Sequence, residues 1–582
     1  HQDKGKRWVG GTDSGCFAGH GTLTHHRRAG TRLVAIVDKP QNGVLHALPD
    51  FPVMIRSRTG TATLAALAIA VHSAVASAQR VDAPARLAVV GVTLIDGTGT
   101  PPRPGTTMLV TNGRITAIGP TGRVAIPAGT TRIDGAGRYV IPGLWDMHVH
   151  LTARASDRFS NGRPNYMAAA DYFFPYFLAS GITGIRDMSG QLADLKEMRR
   201  RVTAGQLDGP RMLVTGHKIG DREPVVPHGP KGYPNEAAVR KAVQLLRDNG
   251  ADFVKLEELR PDLYPALFTA ARQAQLPVVG HVPPNLGLTR ASDLGIRSVE
   301  HLMDVMLSAS RDSAALRDEA LDGPSLWDRV LIRMHRRQQW EVFRRQIEHA
   351  THSQDDATTA ALLRKLASNN TWMVPTLVAN RDIMRMRPDT GIARWSTALL
   401  PAEFRTQPKS WWNNDQALAR EQFGRQMQLV AQMQRAGVKL LAGTDAPGTS
   451  RLPGESLVEE LELMVQAGLT NAQALATATR HPAEFSGLAD SVGTLAVGKV
   501  ADFVLLDANP LERIGNLRQV AGVAVGGRYR TRPQLTTMVA SAEALRVTWD
   551  GRYLARKQAK EAEMMARART GTKRPTLAGA IE

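Results

Sequence analysis

Two histidines stand two residues apart in His148-Val149-His150, closing a run that reads as a β-strand. Side chains at i and i+2 of a strand point the same way, so both imidazoles face one side. Alone, such a pair is weak evidence for a metal site. The chain supplies more. His281 closes Val278-Val279-Gly280-His281, His301 closes Val299-Glu300-His301, and Asp445 closes Leu441-Ala442-Gly443-Thr444-Asp445. Lys255 lies within Asp252-Phe253-Val254-Lys255. Neutral imidazoles and a carboxylate make a nitrogen/oxygen donor set that suits zinc and permits manganese, iron or nickel. Two ions need further donors, including one to bridge them. An ammonium at Lys255 would repel any ion, so it joins the site only with its charge removed, or stands outside it as an ion partner.

These residues become neighbours only if strands far apart in sequence converge. Eight short apolar runs have that character: 144–151, 182–188, 212–217, 253–257, 278–282, 298–302, 373–378 and 439–445. Amphipathic segments such as 236–249 and 263–275 lie between them. Alternation of this kind predicts α/β architecture, a closed (β/α)8 barrel of the TIM type spanning 141–490. A doubly wound open sheet fits less well, since no G-x-G-x-x-G follows the first run. In a parallel barrel the C-terminal strand ends share one mouth, where all the candidate ligands fall.

Flanking the barrel, β-rich runs in 79–140 and 491–540 carry turn signals such as Asn112-Gly113 and Asp134-Gly135. Neither piece holds enough strands for a core of its own. The expectation is one small composite β-sandwich built from both ends, followed by a helix and tail over 541–582. The long stretches 303–370 and 379–435 follow the sixth and seventh barrel strands. They are candidates for lids and substrate walls, or for contacts in a homo-oligomer. Among weaker candidates, His217 and Tyr264 are read as substrate contacts. Arg186 and Asp187 are read as barrel anchors and Glu300 as structural, His228 as an exposed loop residue, and Trp411 and Trp412 as packing.

The chain of 582 residues has 73 Lys+Arg against 54 Asp+Glu, a formal charge of +19. The basic residues are dispersed and no nucleic-acid-binding motif accompanies them, which argues against nucleic acid as a partner. One cysteine excludes an internal disulfide. Residues 1–53 lack apolar periodicity and read as a disordered or non-native extension. A short basic segment, an apolar run and Ala76-Ser77-Ala78 then follow the three-part pattern of a signal peptide over 54–78. The expectation is a periplasmic or secreted protein, beginning near Gln79 and without stable membrane insertion.

The segments Tyr139 to His150, Gly181 to Asp187, Ala251 to Leu256, Val279 to Pro283, Ser298 to His301, Ala442 to Asp445 and Gly493 to Asp507 resemble the amidohydrolase superfamily. The likeness is to its imidazolonepropionase-like and Xaa-Pro dipeptidase-like branch, and it covers about 86–530. The resemblance implies two divalent ions, zinc in the first instance. His148 and His150 would ligate one ion and His281 and His301 the other, with Lys255 carboxylated as the bridge. Asp445 would ligate a metal and handle protons. The implied reaction is hydrolysis of a C–N amide bond by a metal-activated hydroxide, in a dipeptide or N-acyl amino acid. A cyclic-amide hydrolase or a heterocycle deaminase is the alternative enzyme, and a non-catalytic scaffold the alternative of another class.

Overall fold

The computed structural model describes residues 86–152, 167–220, 232–322, 337–384, 399–402, 415–448 and 450–570. The expected extension 1–53 and the expected signal segment 54–78, with His228, Trp411 and Trp412, lie outside the described residues.

The first strands are short runs rich in Val, Ile and Thr, side chains that suit a pleated sheet. They are β1 (Arg86–Leu94), β2 (Arg103–Thr111), β3 (Arg114–Pro120), β4 (Thr131–Asp134) and β5 (Tyr139–Pro142). Asn112 and Gly113 turn β2 into β3 with both residues at positive φ, 51° and 75°, as a two-residue hairpin requires. A Cβ at Gly113 would also lie 2.6 Å from the Gly526 carbonyl oxygen. The barrel strands follow: β6 (Leu144–Val149), β7 (Ile182–Asp187), β8 (Arg211–Val214), β9 (Val254–Leu256), β10 (Val278–Gly280), β11 (Ser298–Glu300) and β12 (Trp372–Val374). Near the C-terminus come β13 (Phe503–Leu506), β14 (Val520–Val525) and β15 (Arg528–Thr531).

The two ends share one eight-stranded sheet, in the order β15-β14-β13-β5-β1-β2-β3, with β4 also on β1. Val89, Val92, Met108 and Ile115 from the N-terminal part pack with Phe503, Leu505 and Ala524 from the C-terminal part. Burying each of the larger side chains contributes about 1.5–3 kcal/mol. The fused sheet can therefore carry a core that neither part has alone.

Strands β6-β7-β8 pair in parallel, as do β9-β10-β11-β12. Parallel bridges join them, Ile219 to Leu256, Met373 to Leu440 and Val149 to Ala446. The pairing thus returns to β6 through the segment after Val438, which supplies the eighth staves of a (β/α)8 barrel. That segment holds only two bridges rather than a ladder. Asp445 has a positive φ of 55°, which turns the backbone out of register. Outer helices show the expected stripe. Helix Glu236–Asp248 buries Val239, Ala242, Val243 and Leu246, and its N-cap Asn235 accepts from the Ala238 amide.

The long stretches are largely helical. Met303–Ser308, Ser313–Asp322, Arg337–His352 and Asp356–Ser368 follow β11, and Leu377–Ile383 and Gln416–Arg435 follow β12. The two inserts touch, with Gln422 Nε2 3.0 Å from Met303 Sδ. The C-terminal helix runs unbroken over Arg532–Thr570, starting earlier than the expected 541. Buried Trp549 anchors it, its ring 5.3 Å from that of Tyr172 on helix Met167–Ala179. Among the described residues no helix is long and apolar enough to cross a membrane.

Candidate metal centre

Three of the expected ligands meet at ligating distance. His148 Nε2 and His150 Nε2 are 3.2 Å apart. Asp445 Oδ1 lies 3.2 Å from His150 Nε2 and 3.7 Å from His148 Nε2. Tetrahedral donors about 2.1 Å from one ion lie about 3.4 Å from each other. The three gaps bracket that value, so the donors fit a single divalent ion without rearrangement. All three residues are buried.

His301 and His281 extend the row of imidazoles. The His301 ring is 5.0 Å from that of His148, and the His281 ring 5.1 Å from that of His301. Among the described residues, these two are not drawn to mutual ligating distance with the first three. Each imidazole engages a different partner through Nδ1: Glu300 for His148 at 2.9 Å, Ser189 for His150 at 3.1 Å, Glu257 for His281 at 3.2 Å and Thr376 for His301 at 2.6 Å. Such partners fix ring orientation and leave Nε2 as the nitrogen that could ligate an ion in each.

Lys255 is 1% exposed on β9, and its Nζ has no hydrogen-bond partner. A buried unpaired amine is costly. Burial pushes its pKa down from 10.5 to about 8, toward the neutral amine. An orphaned, easily neutralised amine at this place fits a lysine that becomes an anionic bridging donor. The site's chemistry thus agrees with the group that the family implies.

Electrostatics keep the donors ready for a cation. Burial drives His148 down to about 3 and His301 well below the ordinary range, so both are neutral. Burial would raise Asp445, but Arg451 first, and then the hydrogen bond to His150, outweigh it and hold the carboxylate ionised.

Glu300, read as structural, does hold a buried ion pair, and it also reaches a candidate ligand. Alternation along a strand would turn Glu300 away from His301, but β11 ends at Glu300 and His301 adopts a left-handed φ of 67°. Alternation stops there, so Glu300 can reach His148. It also pairs with fully buried Arg186, whose Nη2 donates to both carboxylate oxygens at 2.9 and 3.0 Å. Arg186 is thus an anchor as expected. Asp187 instead accepts the amides of Leu151 at 2.7 Å and Ser189 at 3.2 Å.

The two substrate-contact readings gain no support from this geometry. Tyr264 is fully buried, donating to Asn285 Oδ1 at 2.7 Å and accepting from the Leu259 amide at 3.1 Å, so it ties two loops together. His217 is half-buried after β8. Sequence reasoning missed Asp146, Ser189, Glu257, Thr376 and Arg451. Asp146 was findable, because it lies two residues before His148 on the same strand face. It accepts from the Thr444 amide at 3.0 Å and Thr444 Oγ1 at 2.6 Å, locking β6 to the last barrel segment. Thr376 and Arg451 come from loops that carry no periodicity to read.

Burial pushes Asp187 up from the ordinary 3.8 to about 8, against the pull of its two amides. For an acid with a raised native pKa, the folded state keeps a proton that the unfolded chain releases. Its stabilising contribution is therefore complete below pH 3.8 and is lost as pH rises through about 8. Asp187→Asn should flatten the decline in stability between about pH 5 and 8 relative to the wild type. Urea denaturation of both proteins across that range checks this, and parallel curves would refute it.

A parallel barrel with two imidazoles and a carboxylate gathered at its mouth is an arrangement that could hold a metal ion. Residues 139–530 match the profile of the Amidohydrolase family, and the chain belongs to that family. It is 47% identical to the imidazolonepropionase of Pseudomonas putida strain F1 over 78 residues, 12% of this chain and only 18% of that protein. Its fold is like that of a Xaa-Pro dipeptidase crystallised with methionine in the active site, at 20% identity and TM-score 0.54. That likeness covers 77% of this chain and 100% of the dipeptidase. It is also like molinate hydrolase, at 21% identity and TM-score 0.55, covering 77% and 95%.

Proposed function

We propose that the chain is an exported, metal-dependent amidohydrolase that hydrolyses the C–N amide bond of a dipeptide or N-acyl amino acid. The observation that carries the reading is the His148, His150 and Asp445 triangle beside a buried, unpartnered Lys255. His148, His150, His281, His301, Asp445 and a carboxylated Lys255 would hold two divalent ions, zinc first among them. Such ions, when bound, lower the pKa of water and polarise the carbonyl under attack. The protein's own groups do the rest. The Asp445 carboxylate takes a proton from the attacking water and returns it to the leaving nitrogen. Glu300 and Arg186 hold His148 in orientation, and Glu257 holds His281. The inserts after β11 and β12 flank the mouth and supply the walls that select a substrate. Export rests on the signal-like segment 54–78.

The stretch of 47% identity to an imidazolonepropionase favours a second reading, hydrolysis of a cyclic amide, with heterocycle deamination close to it. One experiment separates them. The full chain, supplied with zinc and bicarbonate, is incubated with pooled dipeptides and N-acyl amino acids, and released amino acids are followed by mass spectrometry. Release supports the first reading. No release from metal-loaded protein transfers it to cyclic amides or deamination. No release and no bound metal makes a non-catalytic scaffold the better description.

A further inference from the structure

One buried cation beside the metal triangle has no part in the chemistry above. Arg451 is 3% exposed and its guanidinium makes four hydrogen bonds. Nε donates to the Asp445 backbone oxygen at 3.2 Å, and Nη2 to Asp445 Oδ2 at 3.3 Å. Nη1 donates to Asp382 Oδ2 at 3.0 Å and to the Ala379 carbonyl at 3.4 Å. Asp382 belongs to helix Leu377–Ile383, in the insert after β12, and also accepts from the Ser450 hydroxyl. The loop is shaped around the guanidinium. A Cβ at Gly448 would lie 2.3 Å from Arg451 Nη2, so a side chain there would push against the guanidinium.

These contacts divide the two oxygens of Asp445. Oδ2 is tied to Arg451, while Oδ1 faces the two Nε2 atoms at 3.2 and 3.7 Å. The backbone of Asp445 has a left-handed φ of 55°, which an aspartate holds only when its surroundings fix it. Arg451 grips both the main chain and the side chain of that residue. We propose that Arg451, with Asp382 as its counter-charge, is a positioning residue that sets Asp445 Oδ1 at the metal position. The clamp also ties the last metal ligand to a helix of the insert that flanks the mouth. The inference rests on Asp445 being a metal ligand, as proposed above.

The test measures zinc directly. Wild type, Arg451→Gln, Arg451→Lys and Asp382→Asn are compared as full chains by competition with a zinc chelator, by metal content per chain and by turnover where a substrate is known. Arg451→Gln should bind zinc about 10–100-fold more weakly, the usual consequence of losing a group that orients a ligand. Its kcat should fall while KM changes little, because the carboxylate moves rather than the substrate walls. Arg451→Lys should recover part of the affinity, since an ammonium can meet one of the two carboxylates but cannot fork between both. Asp382→Asn should show a smaller loss of the same sign. Zinc affinity of Arg451→Gln within about threefold of wild type would overturn the inference, set against the loss expected from such a group. If that variant does not fold, unchanged affinity in Asp382→Asn overturns it instead. Wild type that binds zinc but cleaves no amide sinks the functional reading alone, leaving the clamp to be judged on affinity. Wild type that binds no zinc overturns both.

Discussion

Asp445→Asn is expected to lower amide hydrolysis by about 10²–10⁴-fold, the range for loss of a positioned acid–base group. The substitution is nearly isosteric, and the residue's surroundings hold it in one place. Its main-chain amide donates to the His148 carbonyl at 2.7 Å, and its carbonyl accepts from Arg451. Those contacts survive in the variant. What changes is the negative charge, together with one oxygen that becomes an NH2 group. Arg451 faces Oδ2 and can donate only, so the retained oxygen should turn to it and the NH2 toward His150 Nε2. An NH2 there neither ligates a cation nor accepts a proton. The variant should fold with a melting transition close to that of the wild type while metal content at the first position falls. Activity within about tenfold of wild type, in a protein of normal metal content, would remove Asp445 from the mechanism, given the size of the effect expected.

The largest effect on stability should come from Arg186→Leu. The guanidinium and the Glu300 carboxylate are both fully buried. Arg186 also donates to the Met147 carbonyl at 2.6 Å and Ser298 Oγ at 3.0 Å, and stacks 5.0 Å from the Phe485 ring centroid. It therefore joins β6, β7 and β11 across the barrel interior. Burial would push Glu300 up, but Arg186 first, and then His148, hold its carboxylate below the usual range. Removing one partner of such a pair typically costs about 3–5 kcal/mol, because the other charge is left buried and unmatched. Urea denaturation of the metal-free protein should show that loss. The double variant Arg186→Leu, Glu300→Leu should recover much of it, since apolar replacement of a whole buried pair is often close to neutral. It should not recover zinc affinity, because His148 has lost the acceptor for its Nδ1. A double variant no more stable than the single one would show that the cost lies in packing rather than in an unmatched charge.

The sequence was most legible where a period exists. β-rich runs bounded by turn signals marked β1 and β2, and the period of two along a strand put His148 and His150 on one side. Short apolar runs separated by amphipathic helices marked the parallel barrel, and polar residues closing those runs marked the candidate ligands at its mouth. The family likeness added Lys255 as a bridge, which no spacing could have suggested. Tertiary structure alone decided the rest. It joined β5 to β13 in one sheet, a pairing between residues more than 350 apart in sequence. It brought His148, His150 and Asp445 to ligating distance while leaving His281 and His301 further along the row. It turned Glu300 inward at the point where a left-handed His301 ended the alternation, and it delivered Arg451 and Thr376 from loops. The division has one physical cause. A strand or helix writes its burial into a repeating local pattern, whereas hydrogen bonds to a ligand's far side are made by whichever group the folded chain brings within about 3 Å, and that proximity has no local period.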